Sequence, residues 1–226
     1  MVTVCALIAA FNEERHVGQV VAGVRRYVSH VVLVDDGSTD QTAASAEASG
    51  ATVLRHDRNL GKGSAIRTGL AHVLRLPFAY VLFLDADLQH DPGEIPKLLA
   101  AVEDGASDFV LGERGFAKDA MPAARFYSNV IGSRILSWFI GADVADSQSG
   151  FRLIRADLLR QVTLTSRGYE IETEMLIKLT RAGARLHRIG VTRLQYEGAR
   201  SHIRPFRDTV RTCMLAVRYR FFPDWS

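Results

Sequence analysis

The stretch at residues 80–96, YVLFLDADLQHDPGEIP, drives five apolar residues directly into three acids and a proline. A short, continuous apolar run of this kind is the pattern of a strand buried on both faces of a parallel sheet. Asp91, Pro92 and Glu94 then supply the N-cap, N1 and N3 of a helix expected through Val102. Asp85, Asp87 and Gln89 lie between strand and helix. Open parallel sheets bind ligands outside the carboxyl ends of their strands, so these acids belong at a ligand-facing rim.

The same alternation continues outward in both directions. Residues 2–10 read as a buried strand, followed by a helix in NEERHVGQVVAGVRRYV (12–28) with Asn12 as its N-cap. HVVLVDDGSTD (30–40) is a second strand that ends in acids. Ser38 or Thr39 caps the next helix, which Gly50 stops. Residues 51–55 form a short strand, GKGSAIRTGLAHVLRL (61–76) a helix, and SDFVLGER (107–114) a fifth strand. Strands alternating with helices of this length indicate an α/β chain with a mostly parallel central sheet flanked by helices. Beyond Gly115 the expectations are a helix over 122–140, a turn in DVADSQSGFR (143–152), a helix over 170–182 and a late strand in ARLHRIGV (184–191). The whole of 1–226 reads as one domain with two halves, 1–112 and 113–226.

A chain of 226 residues is long enough for one sizeable core. Its net charge of +3 is too small to imply nucleic acid as a partner. Cys5 and Cys213 make no metal or redox spacing and read as buried thiols of a reducing compartment. No segment has the roughly 18 apolar residues of a membrane span, and the first ten residues lack the basic flank of a signal peptide. The expected location is cytoplasmic.

Asp35 and Asp36 end the second strand as Asp85 and Asp87 end the fourth, so both pairs should meet at one rim. Side chains two apart on a strand point the same way, which lets Asp85 and Asp87 address one ligand. Clustered carboxylates are unfavourable without a compensating cation, and oxygen donors suit Mg²⁺ or Mn²⁺ shared with a diphosphate. For NLGKGSAIRTG (59–69) two readings stand side by side: a phosphate cradle at a helix start, with Lys62 beside the nucleotide, or tight turning at Gly61 and Gly63.

AAFNEE (9–14), VVLVDDGSTDQT (31–42), RNLGKGSAIRTGL (58–70), FLDADLQHDP (83–92) and SGFR (149–152) occur in the order found in inverting family 2 glycosyltransferases. The chain resembles the branch of dolichyl-phosphate mannose synthase and bacterial polyprenyl-phosphate glycosyltransferases. The resemblance implies a glycosyltransferase A (Rossmann-like) fold, a nucleotide-sugar donor (GDP-mannose or a UDP-sugar) and a divalent metal. It implies donor contacts at Asn12, Glu13, Asp35, Asp36, Lys62 and Asp85, and metal ligands at Asp87 and Gln89. Where the family often has proline and tyrosine, this chain has Ala9 and Phe11.

An inverting transferase with a phosphate acceptor needs cations to place an oxygen that is already ionised, whereas a hydroxyl acceptor needs a base. Arg114 matches an arginine of the family branch. Arg125, Asn129 and Ser133 recur every four residues and share a helix face. GARSHIRP (198–205) resembles the family's acceptor segment, with Ser201-His202 where Ser-Lys is common. Asp87, Arg114 and Arg125 are thus the expected catalytic groups. Arg114, Arg125, Asn129, Ser133, Asp146, Arg200 and His202 are the expected acceptor contacts, with Asp146 either orienting an arginine or acting as base. Glu172 and Glu174 read as structural. The expected activity is metal-dependent sugar transfer to a polyprenyl phosphate. The alternatives are a hydroxyl acceptor and a non-catalytic nucleotide-sugar-binding protein.

At helical spacing Phe206, Val210, Cys213, Met214, Val217 and Phe221 form one apolar stripe edged by Arg207, Arg211 and Arg218. That stripe suits an anionic membrane surface or a membrane-anchoring partner, giving a peripheral position at the cytoplasmic face. Packing on the chain's own core is the competing reading.

Overall fold

The computed structural model describes residues 2–114, 137, 146–192, 194, 214, 215 and 219. Its elements run β1 (Val4–Ala10), α1 (Val17–Val24), β2 (His30–Asp35), α2 (Thr42–Ala48), β3 (Thr52–Arg55), α3 (Lys62–Val73) and β4 (Tyr80–Asp85). A 3₁₀ turn (Pro92–Glu94) leads into α4 (Ile95–Ala100), followed by β5 (Phe109–Arg114), β6 (Arg152–Arg155), α5 (Ala156–Gln161), α6 (Ile171–Arg181) and β7 (Leu186–Val191).

One seven-stranded sheet carries the order β3-β2-β1-β4-β6-β5-β7, and β6 alone runs antiparallel to its neighbours. The apolar strands alternate strictly between two cores. Cys5, Leu7, Val32, Val34, Val81 and Phe83 face α3 and α6, while Ala6, Ile8, Val31, Leu33, Leu82 and Leu84 face α1 and α4. Burial pushes the Cys5 thiol up to about 12, so it is an inert core group. Because six strands share one direction, the carboxyl ends of β2, β4 and β5 deliver Asp35, Asp85 and Arg114 to one rim. Arg152 opens β6 at that same rim, opposite Phe83 and Leu111.

Three local expectations are corrected. Neither Ser38 nor Thr39 caps α2, which starts at Thr42 with Gln41 before it. Asn12 is not the N-cap of α1, which starts only at Val17 with His16 before it. Asn12 takes a left-handed backbone (φ 55°), and its Oδ1 accepts the Thr39 amide at 2.9 Å, tying β1 to the β2–α2 loop. The end of DVADSQSGFR is not a turn, since Arg152 starts a strand. That strand, RLIR, is four residues long and has arginine at both ends, so apolar periodicity did not mark it. The expected helix over 122–140 and most of the C-terminal stripe lie outside the described residues.

Candidate active site at the rim of the sheet

The centre of the rim is Asp85, the last residue of β4. Its Oδ1 accepts from Lys62 Nζ at 2.5 Å, and the same ammonium lies 2.6 Å from Glu172 Oε1. Lys62 is the first residue of α3, where the helix dipole disfavours a cation, so the two carboxylates hold it there. Burial opposes charge on both partners. The pair offsets it: Asp85 is held far below the usual carboxylate range by Lys62 and His90, and Lys62 is raised by Asp85 and Glu172. Gly150 closes over Asp85 so tightly that a Cβ there would lie 2.7 Å from both carboxylate oxygens.

Asp87 sits in the turn after β4, not on the strand, and Leu88 next to it has φ 58°. The Gln89 amide donates to Asp87 Oδ1 at 3.0 Å and its side-chain Nε2 to Oδ2 at 2.7 Å. Burial and the charge of Asp85 push the Asp87 carboxyl up, and among the described residues it forms no ion pair. A half-compensated carboxylate beside a second carboxylate and an amide is the donor chemistry of a hard divalent cation that completes its shell with diphosphate and water. The residues present therefore fit Mg²⁺ or Mn²⁺, with Asp87 and Gln89 as the groups that would hold it.

On the other side of the rim Arg114 is fixed by Asp146. Its Nε donates to Oδ2 at 2.6 Å, Nη2 to Oδ1 at 3.0 Å and the backbone amide to Oδ2 at 3.3 Å. Burial works against the guanidinium, but Asp146, Asp85 and Asp87 together raise it. Both oxygens of Asp146 accept from Arg114.

The nucleotide-side acids turn inward. Asp35 Oδ1 accepts from the Ser38 amide at 2.9 Å, and Oδ2 lies 3.2 Å from Arg55 Nε. Asp36 accepts from the Leu60 and Gly61 amides at 2.9 and 2.8 Å and contacts His56 Nδ1 at 2.7 Å. These two carboxylates build the loop that leads into α3 and so position Lys62. Glu13 contacts His16 Nδ1 at 3.1 Å, and its amide donates to Thr42 Oγ1 at 2.8 Å. Lys62 itself is directed at Asp85 and Glu172. Of the two glycines, Gly61 turns the chain into the helix with φ 97°, whereas Gly63 lies within α3, where a Cβ would come 2.5 Å from the Ser166 carbonyl. Arg125, Asn129, Ser133, Arg200 and His202 lie outside the described residues.

Two residues of the site, Arg152 and His90, escaped the sequence reading, and a third, Glu172, was read there as structural. Arg152 is fully buried and donates to the carbonyls of Ser149, Glu172 and Ser147 at 2.7, 2.5 and 2.8 Å, pinning the 146–150 loop to the start of α6. Burial lowers its guanidinium to about 10, still charged at neutral pH. His90 is 1% exposed, packs on Phe151 at 5.3 Å and holds Nε2 3.5 Å from Asp85 Oδ2, with neither ring nitrogen in a hydrogen bond. Glu172 is the buried partner of Lys62. SGFR and DADLQH contained the first two as motif members without assigning them work; for Glu172 no local signal existed.

The C-terminal stripe is only partly visible. Met214 is 65% exposed, whereas Leu215 and Tyr219, which are not in the stripe, pack on the core. No helix among the described residues is long and apolar enough to cross a membrane.

The family model for glycosyl transferase family 2 matches residues 5–163. The undecaprenyl-phosphate mannosyltransferase of Micrococcus luteus is 30% identical over 207 residues, covering 86% of this chain and 84% of that protein. Mannosyl-3-phosphoglycerate synthase from Rubrobacter xylanophilus superposes with a TM-score of 0.77 at 21% identity, over 97% of this chain and 74% of that one. Glucosyl-3-phosphoglycerate synthase from Mycobacterium tuberculosis, solved with Mn²⁺ and UDP-glucose, gives 0.74 at 22%, over 97% and 79%. The fold is that of the glycosyltransferase A class.

Proposed function

Because this chain belongs to glycosyl transferase family 2 and is a glycosyltransferase, we propose that it moves one sugar from a nucleotide-sugar to a polyprenyl phosphate with inversion. The observation that carries the acceptor half is the Arg114–Asp146 pair. It is a rigid guanidinium at the carboxylate rim, held from the side by both oxygens of Asp146. Such a cation docks a phosphate monoester, and the bidentate pairing commits Asp146 to holding Arg114. Asp85, fixed by Lys62 and Gly150, orients the donor. Asp87 and Gln89 would hold the divalent cation, which would supply charge neutralisation for the departing diphosphate. Nucleophile and leaving group then lie on opposite sides of the sugar, Arg114 on the acceptor side and Asp87 on the donor side. Arg125, Asn129, Ser133, Arg200 and His202 belong to the acceptor side in this reading.

The lipid acceptor is supported by the name of the Micrococcus luteus relative, and the exposed Met214 beside the basic segment fits a peripheral position at the membrane. The structural neighbours named as glycosyl-3-phosphoglycerate synthases favour a second reading, a small phosphorylated acceptor. GDP-mannose, UDP-glucose and UDP-N-acetylglucosamine offered with Mn²⁺ and a polyprenyl phosphate, 3-phosphoglycerate or a neutral glycan separate the two. Sugar in the lipid extract supports the first reading. Sugar only on the phosphoglycerate replaces it with the second, and transfer only to a neutral glycan removes both.

A further inference from the structure

Beneath the rim the carboxylates Asp85, Asp87, Asp146 and Glu172 face the cations Lys62, Arg114 and Arg152 among the described residues. Arg114 is paired with Asp146, and Arg152 donates to three neutral carbonyls while its charge acts on Glu172, Asp146 and Asp85. Lys62 bridges Asp85 and Glu172, and Asp87 forms no ion pair among the described residues, so these four carboxylates outnumber the three cations by one. Glu172 is 3% exposed and lies behind Lys62, away from solvent screening, so its charge acts on the site at low dielectric.

We propose that Glu172 is the residue that makes donor binding depend on a divalent cation. By sharing Lys62 with Asp85 it keeps the floor of the site negative, so a nucleoside diphosphate is repelled until a cation joins Asp87. The proposal rests on the donor-site reading above. A helix acid with no further role would favour the first turn of α6 through the dipole but leave cation dependence untouched.

The test is calorimetric titration of the full chain with UDP and with GDP, each with Mn²⁺ and with the metal chelated. In E172Q, Lys62 keeps Asp85 at 2.5 Å, and Arg152 keeps its three carbonyls and the charges of Asp146 and Asp85, so folding should survive. Metal-free affinity is expected to rise about fivefold or more, while affinity with Mn²⁺ changes less than about twofold. E172D, which keeps the charge, should retain the wild-type ratio. Unchanged or weaker metal-free binding in E172Q overturns the proposal, as does an E172D shift equal to that of E172Q. Should E172Q not fold, E172M removes the same charge with a side chain of similar volume and is expected to raise metal-free affinity about fivefold or more. Unchanged metal-free affinity in E172M contradicts the electrostatic account. Wild-type protein that binds neither nucleotide with Mn²⁺ overturns the donor-site reading together with this inference, whereas normal wild-type binding with an unresponsive E172Q overturns the inference alone.

Discussion

Glu174 is a buried carboxylate outside the reaction site whose removal should be felt inside it. It accepts from the Thr165 amide and hydroxyl at 2.9 Å each, the Ser166 amide at 2.8 Å and the Tyr219 hydroxyl at 3.0 Å, and pairs with Lys178 at 3.0 Å. Burial alone would raise it, but the donors of Ser166, Lys178 and Thr165 prevail and hold it at about 2 against a usual 4.5. That difference corresponds to about 3 kcal/mol of folding stability, since a tenfold change in proton affinity is worth about 1.4 kcal/mol. The folded value is depressed, so this stability is fully present above pH 4.5 and is lost as pH falls toward 2. E174Q should therefore be about 3 kcal/mol less stable than wild type at pH 7, and the gap should shrink to roughly 1 kcal/mol at pH 3. Urea unfolding followed by circular dichroism at both pH values measures it. Donor affinity should fall as well, because the loop that Glu174 anchors lends the Arg167 carbonyl to the Ser64 amide beside Lys62. A gap under about 1 kcal/mol at pH 7, or one that does not change with pH, refutes the reasoning.

Two further perturbations separate the halves of the site. G150A pushes a methyl against both Asp85 oxygens, so donor affinity should drop by about tenfold or more, roughly 1.4 kcal/mol; calorimetry with the preferred nucleotide-sugar reads this. D146N releases Arg114 and should raise the acceptor KM about tenfold while the donor Kd stays within about twofold. Normal acceptor binding with abolished turnover in steady-state kinetics would instead make Asp146 a base.

The parallel sheet was legible because its strands are apolar on both faces and end in acids, a pattern visible at residues 31–36 and 80–85. The short β6 was not, because a four-residue strand with arginine at both ends lacks periodicity and is held in place by β4 and β5, which come from roughly forty to seventy residues earlier in the chain. The rim position of Asp85 and Arg114 followed from strand direction alone. The work of Asp36 did not: its partners Leu60 and Gly61 are backbone amides two dozen residues away, which no motif encodes. Lys62 was recognisable as a lysine at a helix start, yet its choice of Asp85 and Glu172 depends on α6 arriving from more than a hundred residues later.

The central claim, a cation-dependent donor site at Asp87, is tested most directly by nucleotide-sugar binding to Asp87→Asn with and without Mn²⁺. Wild type should bind its donor with Mn²⁺ and lose most of that affinity on chelation. The variant should keep its circular dichroism spectrum and show weak binding that Mn²⁺ does not improve. Undiminished Mn²⁺-stimulated binding in Asp87→Asn would contradict the account.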